Sequence, residues 1–208
     1  MTRKQLLTLT GSALLLTVSQ GLAQTVQNGT FDANDQDFIA DPGYVGGSNP
    51  TFVTGFNGPA GGYGINGGES PTGDPFISGK TDQGATLFIQ GSGTTLTQMI
   101  SGFTLNQPYT LTFEYNSRNC CGGTPGLEFS IAGQTFSTSG IASTADDQPG
   151  VINFTATATT ETLSITKVDI VAGDTTALVD SLAIVPEPAS LALLGMGVVG
   201  LLSRRRRA

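Results

Sequence analysis

Between residues 85 and 185 the apolar positions recur mostly every second residue. Ala85 to Gln90 is an apolar run ending at Gly91, and Leu96 to Ile100 follows, bounded by Ser101 and Gly102. Tyr109, Leu111, Phe113 and Tyr115 alternate with Thr110, Thr112, Glu114 and Asn116. That alternation predicts a half-buried antiparallel strand with its aromatics inward. Leu127, Phe129 and Ile131 alternate next, and Ala132-Gly133 turns the chain into Gln134 to Ser137. Val151 to Thr157 and Glu161 to Lys167 read as Thr-rich strands joined at Thr159-Thr160, and Ala177 to Val185 closes the series. No stretch from residue 24 to the C-terminal tail sustains a helical period. Short strands between turns predict an all-β domain, a jelly-roll-like β-sandwich, over residues 24–185.

Ahead of these strands, residues 41–84 break the pattern. They hold 13 Gly and 5 Pro and read as loops. They also hold Tyr44, Phe52, Phe56, Tyr63 and Phe76. Two outcomes are open for such rings. They pin the loops onto the core, or they face a groove, which makes Tyr44, Phe56 and Tyr63 candidate ligand contacts.

The two ends read differently again. Residues 1–23 carry Arg3 and Lys4 ahead of an apolar stretch around Leu14 to Leu16, with Gly21 and Ala23 before Gln24. That predicts a helical secretory signal peptide, cleaved after residue 23. Near the other end, Leu191 to Leu202 is an uninterrupted run of apolar residues and Gly, followed by Arg204, Arg205, Arg206 and Arg207. As a helix the run spans roughly 18 Å, short of the ~30 Å hydrocarbon core. Flanking residues and snorkelling arginines extend its reach. The expectation is a short transmembrane helix with its arginines cytoplasmic, serving as a temporary inner-membrane anchor, and an ordinary single-pass anchor is the alternative.

Pro186-Glu187-Pro188, the apolar run and the arginine cluster together resemble a PEP-CTERM sorting signal over residues 186–208. The resemblance implies an exported protein of a Gram-negative bacterium. It also implies an exosortase that recognises Pro186, Glu187 and Pro188 and removes the tail, and an association with extracellular polysaccharide and biofilm. The domain carries a second resemblance. Asn28-Gly-Thr-Phe31-Asp32, Leu96 to Ile100 with Tyr109 to Phe113, and Leu178 to Leu182 are similar to strands of galactose-binding-like jelly rolls, the fold of many carbohydrate-binding modules. That resemblance implies a structural calcium where the first and last strands meet, with Asp32 and Asp180 as ligands. The chain departs from many such modules in having no Trp.

Composition narrows the chemistry. With no His there is no Ser-His-Asp triad, no Cys-His pair and no His-bearing zinc site. The net charge of −7 hides an acidic centre. Residues 24–185 hold fifteen acids against Lys80, Arg118 and Lys167, a balance of −12. Such a domain repels phosphate backbones, so no nucleic-acid partner is expected. Calcium would offset part of that charge.

Cys120 and Cys121 are adjacent. In an exported chain they are candidates for a vicinal disulfide, a strained ring next to Gly122-Gly123, with intermolecular pairing or two free thiols as alternatives. Arg118 is the only arginine of the domain. It is a candidate ligand contact, or it pairs internally with an acid such as Glu114 or Glu128. No Gly-x-Ser-x-Gly motif is present, so a carboxylate pair acting on a sugar bond is the remaining catalytic route. The reading is a non-catalytic exported surface or matrix protein that associates with polysaccharide. A purely structural protein and a glycosidase are the alternatives.

Overall fold

A computed structural model describes residues 24–38, 43–66, 85–118, 121–144 and 146–187. All of these lie within one compact unit, residues 21–187. The predicted signal helix and the C-terminal helix lie outside the described residues. Among the described residues no helix is long and apolar enough to cross a membrane.

Among the described residues ten strands form two antiparallel sheets. They are β1 (Gly43–Tyr44), β2 (Tyr63–Asn66), β3 (Thr86–Ile89), β4 (Thr95–Ser101), β5 (Pro108–Ser117), β6 (Thr124–Ile131), β7 (Gln134–Ser137), β8 (Gln148–Thr155), β9 (Thr160–Val171) and β10 (Ala177–Pro186). One sheet runs β1-β2-β3-β10-β5-β8 and the other β4-β9-β6-β7. The all-β, jelly-roll-like sandwich expected from the alternation is the fold observed.

Alternation explains most of the core. Tyr109, Leu111 and Phe113 of β5, Leu127, Phe129 and Ile131 of β6, and Leu163 and Ile165 of β9 are all buried. Each such burial stabilises by roughly 1.5–3 kcal/mol. The Phe113 ring stacks on Phe129 at 3.8 Å between centroids and 19°, which joins the two sheets directly. The turn at Ala132-Gly133 needs two left-handed residues, and both have positive φ, 49° and 76°.

β1 and β2 arise inside the region read as loops. β2 is buried on both faces, so it carries no alternation to read. Its Gly64 could not be larger, because a Cβ there would stand 1.9 Å from the Gly43 carbonyl oxygen. On the other side of this sheet, Phe88 and Leu178 form a small second cluster with Tyr44.

Three buried amides tie irregular segments to the sandwich. Gln98 of β4 accepts from Gln27 N–H at 2.8 Å and donates to the Gln27 and Gly55 carbonyls at 2.9 and 3.0 Å. Asn34 donates to Thr54 Oγ1 at 2.9 Å and accepts from Thr54 N–H at 2.8 Å. Asn116 does the same for the segment after β7 (below). At the other end of the sandwich, Glu161 Oε1 accepts the N–H groups of Thr157 and Ala158 at 2.7 and 2.9 Å, closing the β8–β9 turn.

The outward face of the four-stranded sheet is rich in hydroxyls, with the exposed Met99 set opposite Thr162. Thr95 pairs with Thr166, Thr97 with Ser164 and Ser101 with Thr160. Ser164 pairs in turn with Ser130, which pairs with Thr135. Glu128 is the acid in these rows, set between Thr166 and Ser137.

Candidate functional site

The site is a cleft where β5 ends and β6 begins. It encloses about 520 Å³, within the range of small-ligand sites. Ser117 and Arg118 come from the end of β5, Cys121 to Thr124 from the approach to β6, and Gly140 to Ser143 from the segment after β7.

Each wall has a fixed support. Ile141 N–H donates to the Pro125 carbonyl at 2.8 Å, laying the third wall along β6. Asn116, fully buried, donates to the Thr144 carbonyl at 3.2 Å and to Asp147 Oδ1 at 2.9 Å. Its Oδ1 accepts from Thr144 N–H at 3.2 Å and Ser117 N–H at 2.9 Å. The middle wall is small-residue backbone in the left-handed region: φ is 78° at Cys121, 74° at Gly122 and 77° at Gly123. A Cβ on Gly123 would meet Thr175 Cγ2 at 2.4 Å, so this wall rests on the β9–β10 connection.

Arg118 fixes that same connection. Its side chain is 5% exposed and pairs with the Asp174 carboxylate, and Nη2 also donates to the Asp174 carbonyl. The hydrogen bond from Arg118 lowers the Asp174 carboxyl below the usual carboxylate range. Gln90 Nε2 donates to Asp174 Oδ1 at 2.9 Å, and the Tyr44 hydroxyl donates to Gln90 Oε1. Burial, the largest influence, raises the Tyr44 phenol above its ordinary value. Arg118 is thus internally paired, but with Asp174 rather than Glu114 or Glu128. The last β10–β5 pair is Ala177 with Ser117, and Arg118 N–H donates to the Thr176 carbonyl at 3.2 Å, two residues after Asp174. Glu114 lies four residues earlier on β5 and is exposed.

The aromatic expectation is corrected. Phe56 is 2% and Tyr63 0% exposed, so neither can meet a ligand at the surface. Phe56 packs on Phe31 at 5.7 Å. Tyr63 is an inward residue of β2, its phenol raised by burial. These rings pin the loops because leaving them in water would forgo their hydrophobic stabilisation. Tyr44 is half-buried and meets Phe88 edge-on at 5.0 Å. None of the three lines the cleft.

Cys121 is disulfide-bonded and lines the cleft. Cys120, the chain's other cysteine, lies outside the described residues. Asp32 is exposed in the 3-10 turn Asp32–Asn34, its Oδ1 3.4 Å from Ala85 N–H. Asp180 is 2% exposed and its Oδ1 accepts from Ser181 N–H at 2.7 Å. The two segments do meet: Leu182 N–H donates to the Gly29 carbonyl at 2.9 Å. Among the described residues, no three His, Cys, Asp or Glu gather into a metal-holding group. Backbone carbonyls would therefore have to supply most of the six to eight oxygens calcium takes.

Sequence reading missed Lys167, which is 1% exposed, its Nζ 2.5 Å from Asp169 Oδ1. The signal was there: Lys167 falls on the inward phase of β9 after Leu163 and Ile165.

Residues 185–207 match the PEP-CTERM protein-sorting motif. The motif implies export and a surface or extracellular destination. Pro188 and Arg204 to Arg207 lie outside the described residues. No curated protein matches the chain. Among solved structures the chain is similar to TmCBM61, determined in complex with beta-1,4-galactotriose. The TM-score is 0.49 at 12% identity, covering 79% of this chain and 99% of that one. It is also similar to the enzymatically active domain of tailspike protein 4 of bacteriophage CBA120. There the TM-score is 0.48 at 8% identity, covering 79% of this chain and 21% of that one. A family 16 carbohydrate-binding module-2 gives 0.41 at 12% identity, covering 77% and 98%.

Proposed function

We propose that the protein is a non-catalytic exported surface or matrix protein that binds extracellular polysaccharide through the cleft beside Arg118. The observation that carries this reading is the make-up of the cleft. Its lining combines Gly122, Gly123 and Gly140 with the hydroxyl residues Ser117, Thr124 and Ser143, residue types suited to sugar hydroxyls. Among the described residues no Asp or Glu lines it, and a glycosidase works with a pair of carboxylates. The disulfide at Cys121 stiffens the wall, and Cys120 is its partner in this reading. Exosortase processing follows a transient stay at the inner membrane.

Retention on polysaccharide, followed by a glycan array, tests the proposal. Ala142 is an exposed cleft residue, so Ala142→Trp fills the cleft without entering the core. Retention is expected to fall at least roughly tenfold, the loss of about 1.4 kcal/mol, with an unchanged melting temperature. Equal retention by both proteins sinks the cleft reading. No retention by either favours the structural alternative, which the burial of Phe56 and Tyr63 supports.

Calcium at Asp32 and Asp180 belongs to the same proposal. The bond between Gly29 and Leu182 supports it by bringing the two segments together. Millimolar calcium is expected to raise the melting temperature, and Asp180→Asn to remove the rise. An unchanged melting temperature with calcium overturns this part alone.

A further inference from the structure

The sorting motif begins inside the fold. The matched residues start at 185, while β10 runs to Pro186, which is in register with Tyr109 of β5. Val185 and Pro186 of the match therefore lie within the sheet, and Glu187 is bonded to it. Glu187 N–H donates to the Pro108 carbonyl at 3.0 Å. The Glu187 carbonyl accepts from Gln107 Nε2 at 3.3 Å. Its carboxylate lies 3.5 Å from the Thr110 hydroxyl.

The chemistry of the tripeptide sharpens this. Proline has no backbone N–H. In Pro186-Glu187-Pro188 the only backbone donor is that of Glu187, and the fold uses it. An enzyme that reads an extended peptide does so largely through backbone hydrogen bonds, with pockets for the side chains. In the folded domain that one donor is occupied, and the motif's first proline is paired in a sheet. Ile184, two residues earlier, is 3% exposed and anchors the strand.

We propose that the fold masks its own sorting motif, so that the processing enzyme reads Pro186 and Glu187 only when the end of β10 is unpaired from β5. Removal of the tail is then coupled to folding. It is fast on a chain whose sandwich has not closed, and slowed afterwards by the need to fray the strand end. Each ordinary hydrogen bond released is worth roughly fivefold in that equilibrium. The bonds of Glu187 together therefore slow reading about tenfold or more.

Pulse-chase of tail removal in the producing cell tests this. One chain carries eight Gly/Ser residues and a second copy of residues 185–208 after Glu187, which places an intact motif clear of the sheet. About tenfold faster removal than for the natural chain is expected. Gln107→Ala, which touches the motif only through the Glu187 carbonyl, is expected to speed removal about threefold in the natural chain and not in the linker chain. Equal rates for the natural and linker chains overturn the proposal. A second measurement needs no enzyme. Hydrogen exchange at the Glu187 amide of the purified full chain is expected to be slow, and exchange at the rate of an unstructured peptide overturns the proposal by itself. If neither chain loses its tail while the amide is protected, the processing of this motif is refuted, and the coupling with it.

Discussion

Lys167 is a charged residue at a core position, and its partner carries the cost of placing it there. Breaking such a pair from one side leaves a buried charge without compensation. The hydrogen bond from Lys167 holds the Asp169 carboxyl down to about 2 from 3.8, and Thr175 Oγ1 adds a bond at 2.8 Å. A carboxyl depressed in the folded state stabilises fully above its unfolded pKa. That contribution is lost as pH falls through 3.8 toward 2. The urea midpoint is therefore expected to drop over that window, and Asp169→Asn to drop less steeply there while starting lower at neutral pH. Parallel curves for the two proteins would refute the assignment. Lys167 itself was legible as an inward polar position on a strand. Arg118's choice of Asp174 was not, since it depends on which loop the end of β5 meets.

Among the elements, β10 shows how the sandwich accommodates its first segment. The register of β10 against β5 shifts between Asp180 and Ala183, with Ser181 at φ 56°. A bulge of this kind bends a strand and leaves a residue unpaired. Here the freed Leu182 N–H takes the Gly29 carbonyl. A Cβ on Gly29 would stand 2.2 Å from the Leu182 carbonyl oxygen, which is backbone and cannot move aside. Gly29→Ala is therefore expected to destabilise by about 2 kcal/mol or more, in line with overpacking, read as a lower urea midpoint with an unchanged m-value. A midpoint unaltered by the substitution would show that the turn and strand do not meet this closely. β4, β5, β6, β8 and β9 were legible because one face of each is wetter than the other, and β3, buried on both faces, was legible as an apolar run ending at Gly91. β2, also buried on both faces, was hidden because Tyr63-Gly-Ile-Asn offers neither alternation nor an apolar run. The cleft was hidden because Gly, Ala and Ser carry no pattern, and its shape comes from where three segments converge.

At the scale of the whole molecule, charge dominates. The −12 balance of residues 24–185 repels itself in the compact state, and salt screens that repulsion. The melting temperature is expected to rise between low and physiological ionic strength, and a flat or falling dependence would mean that the acids are compensated locally. The hydroxyl rows on the outward face of β4-β9-β6-β7 include one acid, Glu128. A hydroxyl holds water without carrying a charge, so dissolved ions leave that hydration in place. Those rows therefore stay wetted in dilute and in saline surroundings alike, while the ionised carboxylates answer to every change in salt.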